Sequence, residues 1–399
     1  MKRTAAALEA ALRALDAQQL RRTRLTIEKP AGEERQLTLA DGRRLVDFSS
    51  NDYLGLARHP AVAAAMSACA MGRGAGSGAS HLVTGHGIEH SRLEEELAAF
   101  TGRERALLFS TGFMANLAVI SSFAGRGERV LLDRLCHASL IDGARLSGAA
   151  LARYAHADAD AARRLIDADP GHTVMVVTDG VFSMDGDLAP LPLLSRATRA
   201  ADAWLLLDDA HGLGVLGPNG GGVLEHFGLG AEEVPILVGT LGKAFGSFGA
   251  FVAGAADTIE WLIQKARTYI YTTALPQPVA AATRAALALV RSESWRRERL
   301  GALTTRFRTR AAQAGVPLGD SLTPIQPVIL GNSTAALAAQ RELEAAGFLV
   351  VAIRPPTVPA GSARLRITLC ATHSERQIDD LVEQLGAIAE RTRRAGTTT

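Results

Sequence analysis

Residues 203–211 read Ala-Trp-Leu-Leu-Leu-Asp-Asp-Ala-His. The apolar run lacks the alternation of a half-exposed strand. It suits a strand buried on both faces, as in a parallel sheet covered by helices. At its carboxyl end stand two acids and a histidine, and in open α/β sheets that end is where ligands bind.

Runs of the same kind recur at 106–109, 129–133, 173–178, 235–240 and 249–254, with helical stretches between them. Alternating strand and helix signals predict an α/β fold with a mostly parallel sheet covered by helices. Beyond about residue 285 the pattern changes. A charged helix from Ser292 to about Ala314, strands at 326–330, 348–353 and 364–369, and a helix at 375–393 predict a smaller α+β domain. At the other end, 5–24 predicts an amphipathic helix, followed by the connector Pro30-Ala31-Gly32. The expected organisation is an N-terminal helix and connector over 1–45, a large α/β domain over 46–285 and a small α+β domain over 286–399.

Composition narrows the function. The 43 basic and 41 acidic residues leave a formal charge of +2, which gives no field for nucleic acid or a membrane surface. Cys69, Cys136 and Cys370 are far apart and form no CxxC, so neither disulfides nor a metal site are expected. Glu9, Arg13 and Asp16 interrupt any signal-peptide core, and no run of about 18 apolar residues exists. A cytoplasmic protein is expected.

The strand ends collect reactive groups. Ser110-Thr111-Gly112-Phe113 opens a helix after 106–109, where free N–H groups make an anion site. His137 follows 129–133, and Asp179-Gly180-Val181-Phe182-Ser183 follows 173–178. Asp208, Asp209 and His211 end the opening stretch, and Gly242-Lys243 follows 235–240. Random placement would scatter these groups over both ends of the sheet.

Almost all basic residues are arginine. The lysines are Lys2, Lys29, Lys243 and Lys265, and only lysine offers a deprotonatable amine. Lys243 lies between Gly242 and Gly246, which let a bulky group approach the backbone. A turn lysine on the surface is the plain alternative. Asp208 follows large apolar residues, so its carboxylate is expected to be partly desolvated and in need of a positive partner. A helix cap is its plain alternative, and Asp209 could supply that cap instead. The Gly-rich 72–78 matches neither GxGxxG nor GxxxxGK[ST], which argues against a nucleotide fold. An amine, an acid and an anion cup are together what pyridoxal 5'-phosphate needs for its aldehyde, ring nitrogen and phosphate.

The chain resembles the α-oxoamine synthases, fold-type I pyridoxal-phosphate enzymes with a smaller C-terminal domain. The resemblance runs from about residue 15 to 390. It is carried by Phe48-Ser49-Ser50-Asn51-Asp52-Tyr53-Leu54-Gly55-Leu56, the Gly-rich loop through His81-Leu82-Val83-Thr84-Gly85, Cys136-His137-Ala138-Ser139, Asp179 to Gly186, Asp208-Asp209-Ala210-His211-Gly212 and Gly239-Thr240-Leu241-Gly242-Lys243. Within the family, Ile353-Arg354-Pro355-Pro356-Thr357-Val358-Pro359, Tyr271 to Pro276 and Arg21 look most like the biotin-pathway acyltransferases. These condense L-alanine with pimeloyl-CoA or a pimeloyl-carrier protein to 8-amino-7-oxononanoate. Glycine C-acetyltransferase and other members share the core motifs, and a pyridoxal-phosphate aldolase or lyase is the more remote alternative. Leu213 departs from the family, where Thr or Val is common.

The resemblance implies roles. Lys243 would hold the cofactor as a Schiff base and act as base. Asp208 would pair with the ring nitrogen, His137 would stack on the ring and contact substrate, and Ser183 and His211 would contact the ring oxygen. Gly112, Phe113 and Thr240 would hold phosphate. Thr273 would reach it from the neighbouring subunit of a homodimer with shared active sites. Arg354 would take the amino-acid carboxylate, with Arg21, Asn51 and Thr357 as further substrate contacts. Free lysine titrates near 10.4, so Lys243 needs burial and a neighbouring cation to serve as base.

Overall fold

The computed structural model describes residues 4–32 and 34–396, so Lys2 lies outside the described residues. The chain divides into two compact units.

The larger unit takes in Asn51–Ser183 and Asp187–Glu298. Its centre is a seven-stranded sheet. The spatial order is Arg105–Phe109, Ala250–Gly254, Ile236–Thr240, Trp204–Asp208, Thr173–Asp179, Arg129–Asp133 and Ala150–Tyr154. Ala250–Gly254 runs against both its neighbours, and the other pairings are parallel. Each apolar run quoted above is a strand of this sheet. The reason is burial from both sides, since Leu205, Leu206 and Leu207 are all at 0% exposure. Helix Gly112–Phe123 supplies Ala115, Ala118, Val119 and Ile120 to the same core as Leu132, Val177 and Leu206. Full burial of such a side chain contributes about 1.5–3 kcal/mol. Ala150–Tyr154 was not expected as a strand. It is the sheet's edge and is largely accessible, so it carries no continuous apolar run.

The smaller unit takes in the N-terminal residues to Ser50, Met184–Gly186 and the C-terminal residues from Arg299. These units divide at 50/51 and 298/299, where 45/46 and 285/286 were expected, and the N-terminal segment falls within the smaller unit. The cause is a shared sheet. Ile27–Lys29, Gln36–Leu39 and Arg44–Asp47 form a meander, and Phe348–Leu349 pairs with Arg44–Asp47 in parallel. A second sheet joins Ile325–Gly331, Ala363–Thr368 and Val351–Ile353. The single strand expected at 348–353 is thus split between two sheets. The first helix is shorter than 5–24. It spans Ala5–Ala17, capped by Thr4, and stops where Gln19 takes φ 57°, outside the right-handed helical region. The charged stretch near 292 is the junction of helices Gln277–Ser292 and Trp295–Gln313. Among the described residues no helix is long and apolar enough to cross a membrane.

Candidate active site

Lys243 sits in the loop between the Ile236–Thr240 and Ala250–Gly254 strands. Leu241, Ala244 and Phe245 are buried and pin the loop to the core. Backbone bonds from Leu241 N–H to Gly249 C=O and from Gly246 N–H to Lys243 C=O, both 2.9 Å, tighten it. The half-buried Lys243 is left to project its amine. Its Nζ lies 2.9 Å from Nε2 of His211. The other nitrogen of that ring, Nδ1, lies 2.6 Å from the Tyr53 hydroxyl. Tyr53 Oη in turn lies 3.4 Å from Asn51 Oδ1.

His211 is held by the turn after the Asp208 strand. Gly212 and Leu213 N–H groups bond Asp209 C=O, and the Asp209 carboxylate accepts the Val223 N–H at 2.8 Å. Asp209 is fully buried, and burial pushes its carboxyl well above the usual range. Gly212 is required here, because a Cβ would meet Asp209 Oδ1 at 2.1 Å. Leu213, the departure noted in the sequence, is buried over Gly239, where a Cβ would come within 2.5 Å of it.

Asp208 ends the adjacent strand at 6% exposure. Its carboxylate accepts the Asn116 side-chain amide at 2.7 Å and the Ala210 N–H at 3.0 Å. Both donors are neutral, so a carboxylate this buried calls for a cation. The same Asn116 amide donates to Ser139 Oγ at 2.8 Å, and that oxygen lies 2.7 Å from Nδ1 of His137. The backbone N–H of His137 donates to Asp179 at 2.9 Å. Burial lowers the His137 pKa, with Asp208 opposing, so the neutral ring is favoured. Burial, reinforced by Asp208, pushes Asp179 well up.

The remaining residues divide by unit. Gly112 and Phe113 form the first turn of helix Gly112–Phe123, capped by Thr111 on Met114 N–H at 3.2 Å. First-turn N–H groups have no partner within their own helix, and the space over Gly112 is open. The hydroxyl of Thr240 donates to Gly249 C=O at 3.2 Å. Ser183 is half-buried beyond the Asp179 strand. Thr273 is exposed and pairs by a β-bridge with Ser80. Arg21, Arg354 and Thr357 belong to the other unit. There Arg354 donates to Gln19 C=O, Arg21 pairs with Asp16 at 2.7 Å, and Arg22 donates to Thr357 at 3.1 Å.

Sequence reasoning overlooked Tyr53, Asn116 and Ser139 as members of these networks. Tyr53 is 1% exposed and reads as core. Asn116 carried a signal, as an amide inside a mostly apolar helix.

The larger unit therefore holds an amine beside an imidazole, a buried carboxylate on the next strand and an open helix start. This donor set fits a phosphopyridoxal. Asp208 would take its ring nitrogen, the Gly112–Phe113 turn its phosphate and Lys243 its aldehyde.

A family model described as Aminotransferase class I and II matches residues 43–385. The chain belongs to this family. Among relatives, the 8-amino-7-oxononanoate synthase of Methylococcus capsulatus is 60% identical over 94% of this chain and 96% of its own. A serine palmitoyltransferase variant from S. paucimobilis, solved with a bound PLP–myriocin aldimine, superposes with a TM-score of 0.91 at 30% identity, covering 97% of each chain. The 8-amino-7-oxononanoate synthase of Francisella tularensis superposes with a TM-score of 0.77 at 32% identity, covering 87% of this chain and 98% of that one. Family membership and these likenesses fit the expected fold-type I architecture.

Proposed function

We propose that this chain is a pyridoxal-phosphate-dependent acyltransferase of biotin biosynthesis. It condenses L-alanine with a pimeloyl thioester, releasing 8-amino-7-oxononanoate, CO2 and the free thiol. The observation that carries the reading is Lys243 beside His211 with buried Asp208 on the adjacent strand end, in a chain most of whose length matches synthases of that name. When bound, the cofactor supplies an electron sink for the pair left at Cα of the amino acid.

The chain's own residues do the rest. Lys243 would hold the cofactor through its amine, and its Nζ is placed as base for the Cα proton. His211 stands 2.9 Å from that nitrogen and, with Ser183, contacts the ring oxygen. Asp208 keeps the ring nitrogen protonated, and Asn116 fixes the carboxylate that does so. His137 would stack on the ring, its orientation set by Ser139. The Gly112 and Phe113 N–H groups and Thr240 hold the phosphate. Arg354 takes the alanine carboxylate, a bidentate task suited to guanidinium, and Arg21, Asn51 and Thr357 contact substrate.

The active form is read as a homodimer with shared sites, in which exposed Thr273 reaches the neighbouring subunit's phosphate. Cys69, Cys136 and Cys370 stand as thiols, which suits a cytoplasmic location. The acyl group arrives on coenzyme A or a carrier protein.

The test is thiol release. L-Alanine with pimeloyl-CoA or the pimeloyl-carrier protein should turn over, and glycine with acetyl-CoA should be slow. Faster release from the glycine pair would move the assignment to glycine C-acetyltransferase. Release from neither would overturn it.

A further inference from the structure

Three histidines stand together outside the chemistry above. His81 opens the π-helical turn His81–Gly85, His86 lies in the link, and His90 is in the first turn of helix Ile88–Thr101. Their ring centroids form a near-equilateral triangle, with sides of 5.2 Å (His81–His86), 5.1 Å (His81–His90) and 5.3 Å (His86–His90). One nitrogen from each ring lies within 4.8 Å of the others. His81 Nδ1 and His86 Nδ1 are 2.9 Å apart. Imidazoles around a tetrahedral ion at about 2.0–2.1 Å have centroids about 5 Å apart and nitrogens about 3.3 Å apart. The triangle already has that size, and modest ring rotations bring the nitrogens in.

We propose that His81, His86 and His90 bind one divalent transition-metal ion of the zinc class through three imidazole nitrogens.

The surroundings suit it. His86 Nε2 is 3.0 Å from Ser91 Oγ, with Glu94 Oε2 at 3.9 Å, which leaves Nδ1 facing His81. His90 Nε2 donates to the Leu275 carbonyl. Hydroxyl, carboxylate and carbonyl partners on the far nitrogen are what orient liganding imidazoles. His90 Nδ1 accepts the Gly87 N–H at 2.9 Å, and this bond is exchanged for the ion. His81 stacks on Tyr269 with centroids 4.9 Å apart, which limits its ring to in-plane adjustment. His86 is exposed, so the ion has an entry and a fourth position for water. Bound there, it ties the 81–85 turn to the helix and to the Leu275 segment.

The experiment uses the untagged holoenzyme, freed of metal with a chelator and titrated with Co2+ and then Zn2+. One ion per chain should bind. The Co2+ form should show the ligand-field absorption of tetrahedral nitrogen ligation, and Zn2+ should raise the melting temperature. His86→Asn, at an exposed position, and His81→Gln should each weaken binding at least about 100-fold and abolish the thermal shift. Circular dichroism and retained cofactor report folding, and His86→Asn decides the matter if His81→Gln misfolds. No saturable binding by the wild type, or equal binding by His86→Asn, overturns the site and leaves a hydrogen-bonded histidine cluster.

Discussion

The Tyr53 hydroxyl lies 2.6 Å from Nδ1 of His211, while Nε2 of the same ring faces Lys243 Nζ at 2.9 Å. One imidazole therefore couples a buried phenol to the Lys243 amine. Tyr53 holds the orientation of His211, and the bond at one ring nitrogen biases where the proton sits on the other. Tyr53→Phe keeps the packing and removes that bond. A bond of this kind contributes about 1–1.5 kcal/mol, so kcat should fall roughly 10-fold. The alkaline limb of the pH–rate profile should move with it. An unchanged kcat and pH profile would reduce Tyr53 to a core residue.

Asp208 is buried among neutral donors, and in the proposed function its charge serves a bound cation. Asp208→Asn keeps the shape and deletes the charge. Losing one partner of a buried ion pair costs about 3–5 kcal/mol, or about two to four orders of magnitude in kcat/KM. The cofactor-free protein should be no less stable than wild type, because no cation is then stranded. Kinetics and denaturant melts of cofactor-free and loaded protein check both halves. Activity within a few-fold of wild type would remove Asp208 from the cofactor's ring.

Lys243→Ala should end turnover and remove the visible absorbance of covalently held cofactor. Lys265→Ala should leave both unchanged, because Lys265 lies in helix Ala256–Lys265 over Trp261 rather than at a strand end. Spectra of both variants after added pyridoxal phosphate make the comparison. Full absorbance in Lys243→Ala would send the search to another amine.

The central strands were legible because a strand buried on both faces must be apolar throughout, as 203–207 is. Ala150–Tyr154 escaped because an edge strand is under no such demand. The reactive groups at strand ends were legible for the same topological reason. Their supports were not. Asn116 meets Asp208 across 92 residues of sequence, and Tyr53 meets His211 across 158, distances no local pattern spans. The histidines at 81, 86 and 90 straddle a π-turn and a helix start, so neither a helical nor a strand period groups them. The N-terminal segment looked separate because a parallel pairing of 44–47 with 348–349 leaves no mark in either stretch.

His156 offers a pH test independent of the chemistry. Its Nδ1 lies 3.0 Å from Asp133 and its Nε2 2.8 Å from Asp187, with the ring edge-on to Phe182. Burial alone would push the imidazolium down, but the hydrogen bonds and charges of the two carboxylates outweigh it and raise the pKa to about 10. The unfolded value is near 6.5. A raised folded pKa contributes stability that is complete below about 6.5 and is lost as pH climbs through about 10. The ring is about a quarter exposed, with a side-chain accessibility of 26%, so the full Coulombic gain is reduced by solvent. We expect the stability gap between wild type and His156→Gln to shrink by about 2 kcal/mol from pH 6 to pH 10. Urea unfolding at each pH measures it. Parallel stability curves for the two proteins would mean that folding leaves the His156 pKa at its unfolded value.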